Sequence, residues 1–368
     1  MGEISVEADE LGPFKVIHIL RQRPALKAIV VIDNIACGPA VGGVRMASDV
    51  SLDECRRLAR AMTLKNAAAG LPHGGGKSVI FADPAMPQAE KEHLIRAFAD
   101  AISTLTDYIA GPDMGTDEQA VAWVYDEIGR AVGLPRELGG IPLDEIGATG
   151  LGCAVASEVA AEMIGMSLRG ARIAVQGFGA VGRHAARLLV ERGAILVAAA
   201  DSKGTIWDAK GINPAELMRL KGEGGSVVDL PHGTKGDGDA IAGVDCDIWI
   251  PAARPDVLTE TNVGQLKAQI VIQGANIPAT SGAEKIMHDR GILSVPDFIA
   301  NAGGVICAAT EYHGGSEQMA LQVIESKIRT NVTAVLNRAR AEKREPRGVA
   351  VELAIERVRR AMALRRWH

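Results

Sequence analysis

Gly177-Phe178-Gly179-Ala180-Val181-Gly182 is the stretch that decides the fold. Residues 171–176 lead into it as an apolar strand, residues 180–192 leave it as a helix, and residues 194–200 return as a second strand ending at Asp201. A strand, a G-x-G-x-x-G turn, a helix and an acid about 20 residues on form a dinucleotide-binding fingerprint. Gly177 permits the tight turn, Gly179 lets a pyrophosphate reach the backbone, and Gly182 lets the helix pack closely on its strand. Phe178, Ala180 and Val181 complete the loop, and the helix N-terminus offers free N–H donors and a positive dipole end to phosphate. Asp201 is expected to accept from the ribose hydroxyls, which favours NAD. Ser202 and Lys203 directly after it can pair with a 2′-phosphate, so NADP stands as the alternative.

Further short apolar runs at 246–251, 270–273 and 292–295 alternate with helical stretches, which implies a parallel sheet with helices on both faces. Upstream the texture differs. Residues 13–33 read as strands of a mixed sheet, 38–43 as a glycine-rich turn, and 51–69 as a helix whose stripe is Leu58, Met62, Lys65 and Ala69. Gly74-Gly75-Gly76-Lys77 reads as a loop feeding a strand at 78–81, residues 89–105 as a helix, and 108–116 as an apolar stub that leaves Asp113 in a turn. The Gly/Pro-rich stretch 132–142 marks a boundary. The expectation is a two-domain α/β protein: a mixed-sheet substrate and oligomerisation domain over 1–145, then a Rossmann domain over 146–329. Two C-terminal helices, within 330–368, are placed back on the first domain.

The chain has 368 residues, enough for two packed cores, with 40 Lys+Arg against 45 Asp+Glu and a formal net charge of -5. That balance and an aromatic content of 3% argue against nucleic acid or an anionic membrane as partner. Five scattered cysteines without a C-x-x-C pair read as reduced thiols, and no metal site is expected. An acidic Met1 to Glu10 and the absence of an apolar run of about 18 residues point to a cytoplasmic protein.

Gly76-Lys77-Ser78 imitates the end of a P-loop, but the opening glycine would have to be residue 71, which is Leu71, and the order of elements is wrong. Lys77 therefore needs another explanation. Lys65 lies on the apolar stripe of its helix, Lys77 is enclosed by glycine and apolar residues, and both need an anionic partner. Asp113 and a carboxylate substrate would supply it. Burial and a second nearby ammonium group depress a lysine's pKa, which suits it to act as a base near neutral pH.

These residues resemble the glutamate/leucine/phenylalanine/valine dehydrogenase family along nearly the whole chain. The matching pieces run from Gly38-Pro39-Ala40-Val41-Gly42-Gly43-Val44-Arg45 through Met62-Thr63-Leu64-Lys65-Asn66, Gly74-Gly75-Gly76-Lys77 and Gly111-Pro112-Asp113-Met114-Gly115. They continue with Ala148-Thr149-Gly150, the Gly177 fingerprint, Gly274-Ala275-Asn276 and Asn301-Ala302-Gly303-Gly304-Val305. The resemblance implies reversible NAD(P)-dependent oxidative deamination of an L-amino acid to a 2-oxo acid and ammonia, without metal, in a cleft between two domains of an oligomer. It implies that Lys65 holds the substrate α-carboxylate, that Lys77 activates water, and that Asp113 shuttles protons. Thr149, Asn276 and Asn301 would orient the nicotinamide end, with Ala253 near the adenosine.

The substrate side chain is read from departures. Where glutamate-specific members carry a lysine and a serine, this chain has Val41 and Ala308. Met62 matches the leucine/phenylalanine branch. Burying a carboxylate against Val41, Val305 and Ala308, beside Gly42, would cost several kcal/mol, so a Leu, Val or Phe type side chain is expected. The nucleotide half is closer to the glutamate branch, which keeps glutamate or another polar amino acid as the alternative. A non-catalytic NAD-binding sensor would not need Lys65, Lys77 and Asp113 together. A 2-hydroxy acid oxidoreductase would want a histidine, for which His73 is the candidate; it is read here as a loop residue.

Overall fold

The computed structural model describes residues 8–365, so most of the acidic stretch Met1 to Glu10 lies outside the described residues. The chain forms two compact units. The first takes the residues up to Pro142, then Ala308–Glu317, then those from Val351 on; the second takes Leu143–Cys307 and Gln318–Ala350.

In the first unit, β1 (Lys15–Gln22), β2 (Ala25–Asn34), β3 (Ala40–Ala47), β4 (Gly74–Phe81) and β5 (Tyr108–Pro112) form one sheet in the order β1-β2-β4-β3-β5. β2 runs antiparallel to both β1 and β4, whereas β3 runs parallel to β4 and β5. Side chains alternate across the sheet as the two-residue period requires. Ile29, Val31 and Val79 meet Cys55 and Ala59 of α1 (Leu52–Ala68). Val30, Ile32 and Ile80 share a core with Phe98 of α2 (Gln88–Ala101) and Val124 of α3 (Glu118–Ile128).

Two expectations change here. The glycines at 74–76 are strand residues, and the turn expected over 38–43 is strand from Ala40 on, because glycine carries no side chain to show a period of two. Their smallness brings α1 onto the sheet: a Cβ on Gly75 would lie 2.0 Å from the Thr63 backbone nitrogen. The buried stripe of α1 is accordingly Cys55, Ala59, Thr63 and Asn66, with Leu58, Met62 and Lys65 half-buried at its flank. Only small or hydrogen-bonded side chains fit under so close a helix, and Asn66 Nδ2 donates to the Gly74 carbonyl at 2.7 Å.

The second unit holds β6 (Arg172–Gln176), β7 (Ile195–Asp201), β8 (Gly204–Trp207), β9 (Thr234–Gly236), β10 (Ile248–Pro251), β11 (Ile270–Ile272) and β12 (Leu293–Val295) in the order β12-β11-β10-β6-β7-β8-β9. The sheet is parallel from β12 to β7 and then turns antiparallel through β8 and β9. Those two strands depart from the all-parallel expectation and give too short a sequence signal to stand out. The unit's helices include α4 (Ala148–Met163), α5 (Ala180–Glu191), α6 (Pro214–Gly222), α7 (Ser281–Asp289) and the single turn α8 (Asp297–Ala300). Then α9 (Gly303–Tyr312) carries the chain into the first unit, α10 (Glu317–Glu342) returns, and α11 (Pro346–Met362) crosses again. The expected return of 330–368 to the first domain is thus corrected: residues 330–350 group with the second unit. The cause is α10, whose Arg329 reaches Glu158 and Glu162 on α4 and whose Ile324, Ile328 and Val332 are fully buried. No helix among the described residues is long and apolar enough to cross a membrane.

Candidate active site

Gly75, Lys77 and Val79 share the face of β4 that looks toward α1. Lys77 is 5% exposed and its Nζ ion-pairs with Oδ2 of Asp113. Asp113 follows β5 in a turn fixed by Thr116, whose Oγ1 accepts from the Asp113 N–H at 2.9 Å and donates to the Val44 carbonyl at 2.7 Å. The other carboxylate oxygen, Oδ1, accepts from the Met114 N–H at 2.6 Å and from Arg45 Nε and Nη2 at 3.2 and 3.1 Å. Arg45 Nη1 then donates to Glu54 at 2.5 Å. A line of alternating charge, Glu54, Arg45, Asp113 and Lys77, results. Glycine is required beside it, since a Cβ on Gly43 would lie 2.7 Å from Asp113 Oδ2.

Burial pushes the Lys77 ammonium down from 10.5 to about 7, and repulsion from Arg45 and then Lys65 acts in the same direction. Lys65, half-buried in the last turn of α1, is therefore close enough to be felt at Lys77. The three residues expected to act together lie in one unit. Arg45 is the member that sequence reasoning quoted without giving it a role. Its signal was an arginine inside a glycine and apolar strand, a position that demands a carboxylate.

Val41 packs with Ile109 and Val132, and the half-buried Ala308 of α9 packs against them. The Tyr108 hydroxyl donates to the Gly42 carbonyl at 2.9 Å on the neighbouring strand. Met62 stands half-buried on the flank of α1. Val305, three residues before Ala308 on α9, falls in the second unit. The loop that supports this wall is held by Glu311, whose carboxylate accepts from the N–H groups of Gly133, Leu134 and Ile141 at 2.8, 3.1 and 2.8 Å.

In the second unit the fingerprint is a built cradle. Gly177 has φ of 93°, and a Cβ there would meet Ala253 at 2.7 Å; a Cβ on Gly182 would lie 1.9 Å from the Gly177 carbonyl oxygen. Gly179, by contrast, faces open space and caps α5 without a side-chain hydrogen bond, leaving the helix N–H groups to an anion. A cavity of about 560 Å³ lies here, lined in part by Gly177, Phe178, Gly179, Ser202, Lys221 and Ala253. Gln176, beside it, has a buried side-chain oxygen without a partner. These residues fit a dinucleotide.

Asp201 lines the same cavity, and its carboxylate is already engaged within the protein. Its Oδ1 accepts from the Lys203 N–H and Ser226 Oγ at 3.0 and 2.8 Å, and its Oδ2 from Lys221 Nζ and the Val227 N–H at 2.8 and 3.1 Å. Burial pushes this carboxyl up, but Lys221 and the other donors outweigh it and hold it at about 2. A ribose hydroxyl would have to displace one of four donors. Lys203 contributes its backbone here, and Lys221, which sequence reasoning missed, lines the cavity instead.

Asn301 Nδ2 lies 3.0 Å from Asn276 Oδ1 and donates also to the Gly274 carbonyl, so the two asparagines do come together. Thr149 sits in the first turn of α4, its Oγ1 at 3.2 Å from where a Cβ on Gly304 would be.

A glycine cradle fit for a dinucleotide in one unit and a buried lysine–aspartate pair in the other suit a dinucleotide-dependent oxidoreductase. Residues 19–130 match the family model described as Glu/Leu/Phe/Val dehydrogenase, dimerisation domain, and 139–366 match the Glutamate/Leucine/Phenylalanine/Valine dehydrogenase model. The chain belongs to this family. It is 40% identical to glutamate dehydrogenase of Aeropyrum pernix, over 91% of this chain and 85% of that one. Its fold is similar to hetero-hexameric glutamate dehydrogenase from Thermus thermophilus, Leu bound form, with TM-score 0.83 and 30% identity over 96% of this chain and 90% of that one. L-tryptophan dehydrogenase from Nostoc punctiforme gives TM-score 0.77 and 27% identity, over 96% and 98%. The protein is an NAD(P)-dependent amino acid dehydrogenase acting on the CH–NH2 group.

Proposed function

We propose that the substrate is an L-amino acid with an apolar side chain of Leu, Val or Phe type, converted reversibly to its 2-oxo acid and ammonia. The observation that carries this reading is the apolar cluster of Val41, Ile109, Val132 and Ala308, in the same unit as Lys77 and Asp113. A substrate carboxylate placed against it would lose its hydration without gaining a partner, at about several kcal/mol. Glutamate is the second reading, favoured by the name of the Aeropyrum pernix relative.

NAD or NADP held by the glycine cradle would supply the acceptor for the hydride of the substrate Cα. Lys65 pairs with the α-carboxylate and fixes which face of Cα is presented. Lys77, neutral above pH about 7, takes a proton from the water that attacks the iminium carbon. Asp113, held by Arg45 and the Met114 N–H, carries protons to and from the amine. Thr149, Asn276 and Asn301 are assigned to the nicotinamide end and Ala253 to the adenosine. NAD is the expected coenzyme. NADP remains open to it, because Lys221 and Ser226 spend the Asp201 charge that would otherwise repel a 2′-phosphate. The assembly is read as a homo-oligomer, in keeping with the description of the matched N-terminal family domain.

A panel of L-amino acids assayed with NAD and NADP tests the substrate. Leucine-like turnover exceeding glutamate turnover supports the proposal, and the reverse overturns it. Val41→Lys should then lower kcat/KM for leucine-like substrates at least tenfold; no change would move the pocket elsewhere. Lys77→Ala should reduce turnover by about 10²–10⁴-fold with NADH binding retained, and unchanged turnover would remove the base assignment.

A further inference from the structure

His73, read from sequence as a loop residue, immediately precedes the Gly74–Phe81 strand and is 1% exposed. Its Nδ1 lies 3.2 Å from the Pro39 carbonyl oxygen. A carbonyl can only accept, so Nδ1 carries the hydrogen and Nε2 is left with a bare lone pair. That lone pair does not face apolar packing: it faces Nε2 of His313, 3.1 Å away and 240 residues on in the chain. The two rings are tilted by 32° with centroids 5.1 Å apart, and Tyr312 stands edge-on to both, at 5.7 Å from His73 and 5.4 Å from His313. His73 is buried, whereas His313 is exposed just beyond the end of α9. All three residues belong to the first unit.

Two imidazole Nε2 atoms at this separation have the geometry of adjacent ligands on one metal ion. With metal–nitrogen bonds of about 2.0–2.1 Å, a 3.1 Å separation subtends an angle of about 100° at the metal, between octahedral and tetrahedral values. The Nδ1–H to carbonyl bond of His73 is the outer-shell contact that commonly fixes the tautomer and orientation of a ligating histidine. His313, being at the surface, can give up its hydrogen bond, move its proton to Nδ1 and turn its Nε2 lone pair to the ion without a net change of charge.

We infer that His73 and His313 form a two-imidazole site for a borderline transition ion of the Zn²⁺, Co²⁺ or Ni²⁺ class, separate from the lysine–aspartate pair. Among the described residues no group of three or more His, Cys, Asp or Glu gathers around one point, so water completes the coordination. The site is therefore exchangeable, unlike a four-ligand structural centre. Its place gives it a consequence. His73 leads into the strand that carries Lys77, and His313 follows the helix that carries Ala308, so a bound ion ties the base strand to the wall of the apolar cluster.

The test is calorimetric titration of the full-length protein with ZnCl2, together with Co²⁺ titration followed by its visible ligand-field absorption, neither of which depends on the substrate. The wild type should bind one saturable equivalent per chain, reversed by EDTA. His313→Gln should weaken binding at least tenfold while metal-free kcat stays unchanged, because His313 has no part in the reaction. His232→Gln, at an exposed histidine elsewhere, should leave binding as in the wild type. Binding undiminished in His313→Gln, or no saturable binding up to about 1 mM Zn²⁺, overturns the inference.

Discussion

Two glycine runs, one in each unit, look alike in sequence and do opposite things. Gly74-Gly75-Gly76 lies inside a strand, and the space a side chain would occupy at Gly75 is filled by the backbone of α1. In Gly177-Phe178-Gly179-Ala180-Val181-Gly182 the outer glycines are equally crowded, but Gly179 opens onto a cavity. The first run is glycine so that protein can approach protein. The second leaves open space at Gly179 that a ligand can enter. A glycine motif is thus read correctly from what would stand where its missing Cβ is, and sequence alone does not say.

Substitution at each run breaks the comparison in a different observable. Gly75→Ala should cost the most, because a Cβ 2.0 Å from the Thr63 nitrogen forces α1 off the sheet. Overpacking of about 1–3 kcal/mol or more is expected, with a lower Tm and loss of turnover as Lys77 and Lys65 separate. A mutant with wild-type Tm would show that the approach is loose. Gly179→Ala should leave Tm almost unchanged and raise the NAD dissociation constant about tenfold, an effect on ligand approach alone, measured by NADH fluorescence. Between these in kind is the pH profile of kcat/KM. The proposed base, Lys77, must be unprotonated, so the rate should fall about tenfold per pH unit below about 7 and level off above it. A flat profile from pH 5 to 8 would place the proton elsewhere. The smallest effect is expected from Ser226→Ala, which returns one acceptor of Asp201 to the cavity. It should shift the NAD to NADP preference only a few-fold, toward NAD.

The second unit was the more legible because its signal is contiguous: strand, turn, helix and strand follow one another within 30 residues or so, each with its own period. The site of the first unit was legible as residue types out of place. Lys77 among glycines and Asp113 after an apolar stub announced a pairing, and the structure supplies it. What escaped was whatever depends on partners distant in the chain. Arg45 is held by Asp113, 68 residues on, and Asp201 is held by Lys221 and Ser226, 20 and 25 residues on. The stripe of α1 was displaced for a related reason, since hydrophobic periodicity finds large apolar residues, whereas closest contact with a glycine strand selects Cys, Ala, Thr and Asn. The antiparallel strands β8 and β9, four and three residues long, carry no pattern that distinguishes them from loop.

The interleaved course of the chain has a consequence for synthesis. Leu11 and Ala67 of the first unit complete their core with Ala354 and Val358, which are supplied by α11. On the ribosome, the unit whose sheet emerges earliest therefore keeps an apolar seam uncovered until α11 has been translated. Meanwhile the Rossmann sheet, β6 to β12, has already left the exit tunnel with all its strands. The nascent polypeptide should therefore complete its Rossmann sheet before the core of its first unit, and a released chain ending at Ala350, the last residue of the second unit, should hold coenzyme yet turn over nothing.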